Sequence, residues 1–199
     1  MSERRYHHGN LRAALLAQAE TTLRTSGVDG LSLRELAREV GVSYGSPRRH
    51  FEDKAALLDA LVEVGLQRLG AELAEAVEPD GRDFAEVLTA VAISYIRFAT
   101  DSPAMVDLMS RSRYLSQAPA ALVEAREASF APVRDLVERG QAGGELVSGD
   151  VRRVGTLIFA TLHGLATLVN NGMIDPLDDR LIADAIRSLL AGIADTDSR

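Results

Sequence analysis

The chain has 199 residues, of which 46% are hydrophobic and 26% charged, a composition that is ordinary for folded proteins and excludes a disordered chain. It contains no cysteine, which excludes disulfides and thiolate metal sites. The net charge of −7 is unevenly distributed, because residues 1–54 hold nine basic and seven acidic side chains whereas residues 55–199 hold 13 and 22; only the first segment is therefore suited to lie against phosphate.

The beginning of the chain has the periodicity of two helices. Apolar residues at every fourth position predict a first helix from residue 11 to Gly27. A second helix is predicted between Ser32 and Gly41. Its start has the pattern of a capping box, in which the Ser32 hydroxyl and the Glu35 carboxylate would satisfy backbone N–H groups of the first turn.

Helices are also predicted for the rest of the chain. A third should begin at a Ser43 cap and run to His50, with Pro47 in its first turn, where proline is tolerated. A fourth, long helix is predicted over residues 53–78. Five further helices are predicted near residues 84–98, 103–109, 119–140, 151–172 and 181–193. The fold class is therefore all-α, with a three-helix head (residues 1–54) and a C-terminal bundle (55–199), about nine helices in total.

The segment from Leu31 to Leu58 has the pattern of a helix-turn-helix. Two short helices flank a glycine-containing turn, an arrangement whose second helix enters the DNA major groove N-terminus first. The side chains suit that role, since some offer hydroxyl groups, some allow close backbone approach and some carry positive charge. These candidate contacts are Ser43, Tyr44, Gly45, Ser46, Arg48, Arg49, His50 and Lys54.

The same residues resemble the DNA-binding domain of the tetracycline-repressor (TetR) family. The similarity covers roughly residues 6–60, from a Tyr-His-His-Gly entry to a His-Phe-x-Asp-Lys exit. It implies a homodimeric repressor of about nine helices, whose C-terminal domain binds a small molecule and then releases DNA. Transferred residue by residue, it implies DNA contacts from Ser32, Tyr44, His50 and Lys54, with an arm at Arg4 and Arg5.

One position departs from the family's pattern. Where the family usually has a tyrosine that bonds a phosphate, this chain has Arg48. Arginine can hold a phosphate bidentately or read O6 and N7 of guanine. Both roles for Arg48 therefore stay open.

The C-terminal part contains a weaker match to the family. The segment from Phe159 to Gly164 resembles the Trp-x-x-x-His-Gly signature of one variety, with phenylalanine in place of tryptophan. Aromatic, methionine and histidine side chains at helical spacing could line an effector pocket or could be ordinary core. The candidate pocket residues are Tyr95, Phe98, Met105, Met109, Tyr114, Phe159 and His163. Few charges lie near them, so we expect an apolar or aromatic effector held by one or two hydrogen bonds, from His163 and Tyr114.

The last two predicted helices are apolar beyond what one buried face requires. This property predicts that two copies of the chain assemble a four-helix bundle. The alternative is that both helices are central to the monomer. The candidate interface residues are Ile158, Leu165, Ile186 and Leu190.

Enzyme functions find no support in the sequence. It contains no Gly-x-Ser-x-Gly elbow, Walker loop, His-Glu-x-x-His or dinucleotide-binding glycine motif. We expect no catalytic residue, metal or cofactor, and the absence of a signal peptide or membrane span predicts a cytoplasmic protein. The favoured interpretation is a homodimeric repressor of a double-stranded, pseudo-palindromic DNA operator, released by a small-molecule effector. The alternative is a ligand-independent DNA-binding regulator with no inducer pocket.

Overall fold

The computed structural model describes residues 11–78, 81–110 and 119–193, and every regular element in these ranges is a helix. The α-helices are α1 (Leu11–Ser26), α2 (Leu33–Val40), α3 (Lys54–Ala76), α4 (Phe84–Asp101), α5 (Pro103–Ser110), α6 (Ala120–Gly143), α7 (Val151–Asn170) and α8 (Asp179–Ile193). A short 3-10 helix, η1 (Pro47–Arg49), lies between α2 and α3. The predicted all-α fold is confirmed. None of the helices in the described ranges has the length and apolar composition needed to cross a membrane.

Acidic side chains cap four of the described helices, and at the start of α8 the Asp178 carboxylate accepts a hydrogen bond of 2.8 Å from Leu181 N. The Asp53 carboxylate accepts a hydrogen bond of 2.8 Å from Ala56 N at the start of α3, and Asp150 caps α7 in the same way. At the start of α4, Asp83 and Glu86 bond each other's backbone N–H groups at 2.8 and 3.0 Å, which is a capping box. Because the first N–H groups of a helix have no partner inside it, these carboxylates determine where the helices begin.

The capping box predicted at α2 is absent. Ser32 occupies the N-cap position in an extended conformation, but its hydroxyl makes no capping hydrogen bond. Glu35 instead accepts two hydrogen bonds, of 2.9 and 2.6 Å, from the Arg38 guanidinium. The Glu35 carboxylate that the capping box required is therefore engaged in an i,i+3 ion pair with Arg38.

By packing, the described chain divides into two compact units. The first contains residues 11–65, 102–110 and 119–123, and the second contains residues 66–78, 81–101 and 124–193. Packing units need not coincide with functional domains, so the predicted domains 1–54 and 55–199 stay a prediction. Helix α3 contributes residues to both units.

The first unit is built around α1. This helix packs against α2 and α5, and α2 packs against η1. Its largest fully buried side chains are leucines of α1, α2, α3 and α5. They are Leu15, Leu36, Leu57, Leu61 and Leu108. The helix-turn-helix is thus held on an apolar core of its own.

The second unit is built around α4, which packs against α7 and α8. Its fully buried side chains are Leu69, Leu73, Leu88, Leu146, Ile158, Ile182 and Ile186. At one point α3 and α6 approach so closely that a β-carbon on Gly70 would lie 2.9 Å from Cα of Ser129. The Ser129 hydroxyl donates to the Leu66 carbonyl at 2.7 Å, so glycine and a small hydroxyl residue together allow this contact.

Candidate DNA-binding surface and effector region

The turn of the helix-turn-helix depends on Gly41. Its φ of 77° lies in the left-handed region, which is favourable only for glycine. The N–H groups of Gly41 and Val42 then donate to Arg38 and Ala37 carbonyls at 3.2 and 2.9 Å, closing α2. A β-carbon on Gly41 would meet nothing within 4 Å. The glycine is therefore required by backbone conformation and not by space.

The third α-helix predicted from Ser43 is not formed. Residues 43–46 make a turn, closed by Ser46 N donating to Ser43 O at 2.9 Å, and η1 follows. In an α-helix capped by Ser43, the N–H of residue 47 would be the first to donate to the Ser43 carbonyl. Pro47 has no N–H, so the first α-helical bond cannot form. The sequence analysis placed Pro47 among the residues whose N–H groups have no partner inside the helix, but Pro47 lies one position beyond them. That prediction was wrong.

The segment after α2 nevertheless presents the predicted polar side chains outward. Pro47 and Phe51 are buried and anchor the segment to the core. The candidate contacts before, between and after these anchors are exposed or half-exposed. The exposed ones are Ser43, Tyr44, Gly45, Arg48, Arg49 and His50, and the half-exposed ones are Ser46 and Lys54. Arg4 and Arg5, the predicted arm, lie outside the described residues.

Three serine hydroxyl groups at this surface differ in their partners. The Ser43 and Ser46 hydroxyls are hydrogen-bonded to each other at 2.7 Å, which stabilises the turn. The Ser32 hydroxyl makes no bond to the helix that it begins, so it can accept or donate elsewhere. An uncommitted hydroxyl at a helix N-terminus suits contact with a phosphate oxygen.

Arg34 is a residue of this surface that sequence reasoning missed. Its guanidinium carbon lies 4.7 Å from the centre of the Tyr44 ring, in cation–π contact. Both side chains are exposed. They are ten positions apart and on opposite sides of the turn, so no periodic pattern in the sequence could have paired them.

Part of the predicted effector pocket forms an aromatic cluster in the second unit. The Tyr95 hydroxyl and His163 Nδ1 share a hydrogen bond of 2.9 Å. Phe159 stacks on the His163 ring at 5.5 Å and meets the Tyr95 ring edge-on, also at 5.5 Å. Phe130, which was not predicted, meets Phe159 edge-on at 5.8 Å. Burial raises the pKa of Tyr95 to about 12, so its hydroxyl stays protonated at physiological pH.

The remaining candidate pocket residues are distributed between the units. Phe98 is buried in the second unit. Met105 and Met109 belong to the first unit, where a β-carbon on Gly65 would lie 2.8 and 3.0 Å from their sulfur atoms. Tyr114 lies outside the described residues. The structure thus brings Tyr95, Phe159 and His163 together, and effector binding at these positions stays a prediction.

The candidate interface residues on α7 and α8 fall into two groups. Ile158 and Ile186 are only 2% and 1% exposed within a single chain. They belong to the core that α4 forms with α7 and α8, so within one chain they have almost no surface to offer a second copy, and their role as contacts stays a prediction. Leu165 and Leu190 are half-buried. Leucines that the prediction omitted are more exposed, Leu157 at 45% and Leu181 at 53%.

An open groove of about 840 Å³ lies beside Leu157, between the start of α7 and the end of α8. Its lining is mainly apolar, with two arginines. The lining residues are Val147, Asp150, Arg152, Arg153, Val154, Thr156, Leu157, Ala160, Gly192 and Ile193. The aromatic cluster does not contribute to this groove.

Two family profiles match the chain. The profile of bacterial regulatory proteins of the tetR family matches residues 15–61, and the profile of the tetracyclin repressor-like C-terminal domain matches residues 88–194. The class A tetracycline repressor protein from transposon 1721 of Escherichia coli is 39% identical over 74 residues. That alignment covers 37% of this chain and 32% of the repressor, so the chain matches about a third of the length of that relative.

Solved structures show the same fold over nearly the whole chain. A protein of unknown function from Rhodococcus sp. RHA1 is 43% identical, covers 96% of this chain and 100% of its own, and has a TM-score of 0.86. A TetR family transcription regulator from Marinobacter aquaeolei VT8 is 19% identical, with coverage of 92% and 95% and a TM-score of 0.75. The second likeness is one of fold alone.

Proposed function

The chain belongs to the tetracycline-repressor (TetR) family of DNA-binding transcription regulators, and on this premise we propose that it is a repressor that binds a two-fold pseudo-palindromic operator as a homodimer. The observation that carries the proposal is the row of exposed Tyr44, Arg48, Arg49 and His50 on a segment anchored by buried Pro47. Such a segment can enter the major groove without disturbing the core behind it. Bacterial operators lie in the cytoplasm, where we place the protein.

Operator binding is tested by selecting preferred sites from random double-stranded DNA. We expect one enriched motif with two-fold symmetry, and log affinity that falls with log salt at about −0.9 per neutralised phosphate. His50→Ala and Lys54→Ala should weaken binding to all sequences alike, because these side chains are proposed to contact phosphate. The control is Arg134→Ala on α6, an exposed cation of the acidic second unit. Recovery of no symmetric motif from the parent protein would contradict the proposal.

Dimer formation is proposed to use the outward faces of α7 and α8. Exposed Leu157 and Leu181, with half-buried Leu165 and Leu190, place apolar side chains along both helices. Two copies packed through these faces would form the four-helix bundle that the sequence suggested. The same packing would cover the groove beside Leu157 and would set the spacing of two half-sites on DNA.

Effector binding is proposed at the aromatic cluster. Tyr95 and His163 satisfy each other's polar groups in the absence of a ligand, while Phe159 and Phe130 surround them with apolar surface. An apolar or aromatic effector with one polar group could take over a hydrogen bond of this pair. Its binding would favour a conformation with lower operator affinity, and α3 is the element we propose to transmit the change. If no compound releases operator, the ligand-independent alternative applies.

Tyr95→Phe is expected to change how stability depends on alkaline pH. A folded-state pKa of about 12, against about 10 in the unfolded chain, means that the unfolded state loses this proton first. The stability that depends on the protonated hydroxyl is present below pH 10 and is lost as pH rises towards 12. Between pH 9 and 11 the unfolding free energy of the parent should fall about 1.4 kcal/mol more than that of Tyr95→Phe.

Urea denaturation at the two pH values measures this difference. Tyr44→Phe is the matched control, since it removes the hydroxyl of an exposed ring and should behave as the parent does. Identical pH profiles for the parent and Tyr95→Phe would show that the Tyr95 hydroxyl is not buried in solution.

A further inference from the structure

The imidazole ring of His163 has one nitrogen that is bonded and one that is not. Nδ1 shares its hydrogen bond of 2.9 Å with the Tyr95 hydroxyl, whereas Nε2 has no hydrogen-bond partner among the described residues. In the same part of the chain, no buried side-chain nitrogen or oxygen is left without a partner. Nε2 is therefore accessible from outside the protein, on a ring that is otherwise half-buried.

The bond to Tyr95 determines which nitrogen of His163 carries the proton. Tyr95 is 4% exposed, and burial raises the pKa of its hydroxyl to about 12, so the hydroxyl keeps its hydrogen. If Nδ1 also carried a hydrogen, one of the two facing hydrogens would be buried without an acceptor, which is unfavourable. Tyr95 therefore donates, Nδ1 accepts, and the neutral ring carries its proton on Nε2.

The surroundings of Nε2 suit an aromatic molecule. Phe159 covers one face of the imidazole, with ring centroids 5.5 Å apart and planes 14° apart, yet 40% of Phe159 is exposed. The half-buried ring of Phe130 meets Phe159 edge-on. Because an N–H group lies in the plane of its ring, this stacking does not block the Nε2 donor. The cluster thus presents uncovered aromatic surface next to one hydrogen-bond donor.

We propose that the Nε2–H group of His163 is the specificity-determining donor of this cluster, and that the effector is an uncharged aromatic compound with a hydrogen-bond acceptor such as a carbonyl oxygen. This inference rests on the proposed effector site. The acceptor binds the Nε2 hydrogen while the aromatic part covers Phe159, and the bond between Tyr95 and His163 stays in place. A compound of the same shape without an acceptor leaves the donor unpaired and binds less tightly.

The position of the proton is measured without any ligand. At about pH 8 a free imidazole is neutral, and correlation of its carbon-bound hydrogens with 15N distinguishes the protonated nitrogen from the other one. The chain has four histidines, so the His163 signals are identified by their absence from the double variant Tyr95→Phe with His163→Phe. We expect the proton on Nε2. A proton on Nδ1 would overturn the inference.

Two naphthalenes of equal shape measure the donor's effect on binding. 2-Acetylnaphthalene has a carbonyl oxygen where 2-isopropenylnaphthalene has a CH₂ group. In equilibrium dialysis the parent should bind the ketone about three- to tenfold more tightly than the alkene. The double variant should bind both compounds equally. It should also fold, since it keeps both rings and removes both partners of the buried bond together.

Thr161→Val is the matched control, because it removes a polar group from the same helix while keeping the shape of the side chain. The Thr161 hydroxyl donates to the Leu157 carbonyl at 2.9 Å, so the variant should keep the preference for the ketone. Loss of that preference in Thr161→Val would show that it does not come from His163, and would overturn the inference.

The remaining outcomes separate this inference from the proposed function. Equal affinity of the parent for the two naphthalenes would overturn the Nε2 donor and leave an effector site at the cluster. Failure of both compounds to bind would contradict that site and the inference with it. The expected preference without any loss of operator affinity would support the donor at His163 and contradict the effector role.

Discussion

Leu157→Glu is expected to convert the proposed dimer to a monomer at micromolar concentration without unfolding the protein. In a single chain this side chain is 45% exposed, so a carboxylate there remains hydrated. In the proposed four-helix bundle the same carboxylate would be buried without a partner, at a cost of several kcal/mol. Operator affinity should fall by about three orders of magnitude or more, because a monomer can contact only one half-site.

Sedimentation and operator titration measure these two effects on the same sample. Val123→Glu is the matched control, since it changes an exposed apolar residue of α6 that lies outside the proposed interface. Ile186→Glu should behave differently from both, because Ile186 is in the protomer's core and a charge there should prevent folding. A parent protein that sediments as a monomer would contradict the dimer, and a dimeric Leu157→Glu would place the interface elsewhere.

Gly70→Val is expected to lower the unfolding free energy by about 3 kcal/mol. The new β-carbon would lie 2.9 Å from Cα of Ser129, and a clash with backbone can be relieved only by moving α3 and α6 apart. Overpacking of this kind costs about 1–3 kcal/mol. The separation would also remove the Leu66 carbonyl as a partner of the Ser129 hydroxyl, a loss of at most about 1 kcal/mol because the Ala125 carbonyl remains 2.6 Å away. The melting temperature should fall by roughly 6–12 °C.

Thermal and urea unfolding of the variant check this value. Gly155→Ala in α7 is the control, because a β-carbon there meets nothing within 4 Å, and alanine should stabilise the helix by up to about 1 kcal/mol. A Gly70→Val protein as stable as the parent would mean that α3 and α6 do not approach this closely in solution.

Local chemistry accounts for the parts of the fold that could be predicted from sequence. The periodic leucines and the glycines and acids at helix ends predicted most helices to within a few residues, and Asp53, the first residue of the predicted fourth helix, caps α3. Predictions from local sequence were wrong where two local interactions competed for one group or where one backbone N–H was missing. Glu35 had both Ser32 and Arg38 within reach and paired with Arg38. Pro47 occupies the first position whose N–H would donate within an α-helix capped by Ser43, so that helix does not form.

Contacts between distant parts of the chain account for what could not be predicted. Helices α7 and α8 are apolar on more than one side, so periodicity could not decide whether Ile158 and Ile186 face α4 or a second copy. The Tyr95–His163 bond joins residues 68 positions apart, and only the packing of α4 on α7 brings them together. Both residues were named as candidates, but their pairing was not.

The sequence contains a single lysine, Lys54, and it is the first residue of α3, just after the segment proposed to bind DNA. Reagents that acylate side-chain amines would therefore modify one lysine side chain and remove its charge. A protein coupled to a sensor chip through this amine would be held by the surface proposed to bind DNA, so the operator should be the immobilised partner. Conversely, protection of Lys54 from acylation would report operator occupancy from one chemically unique position.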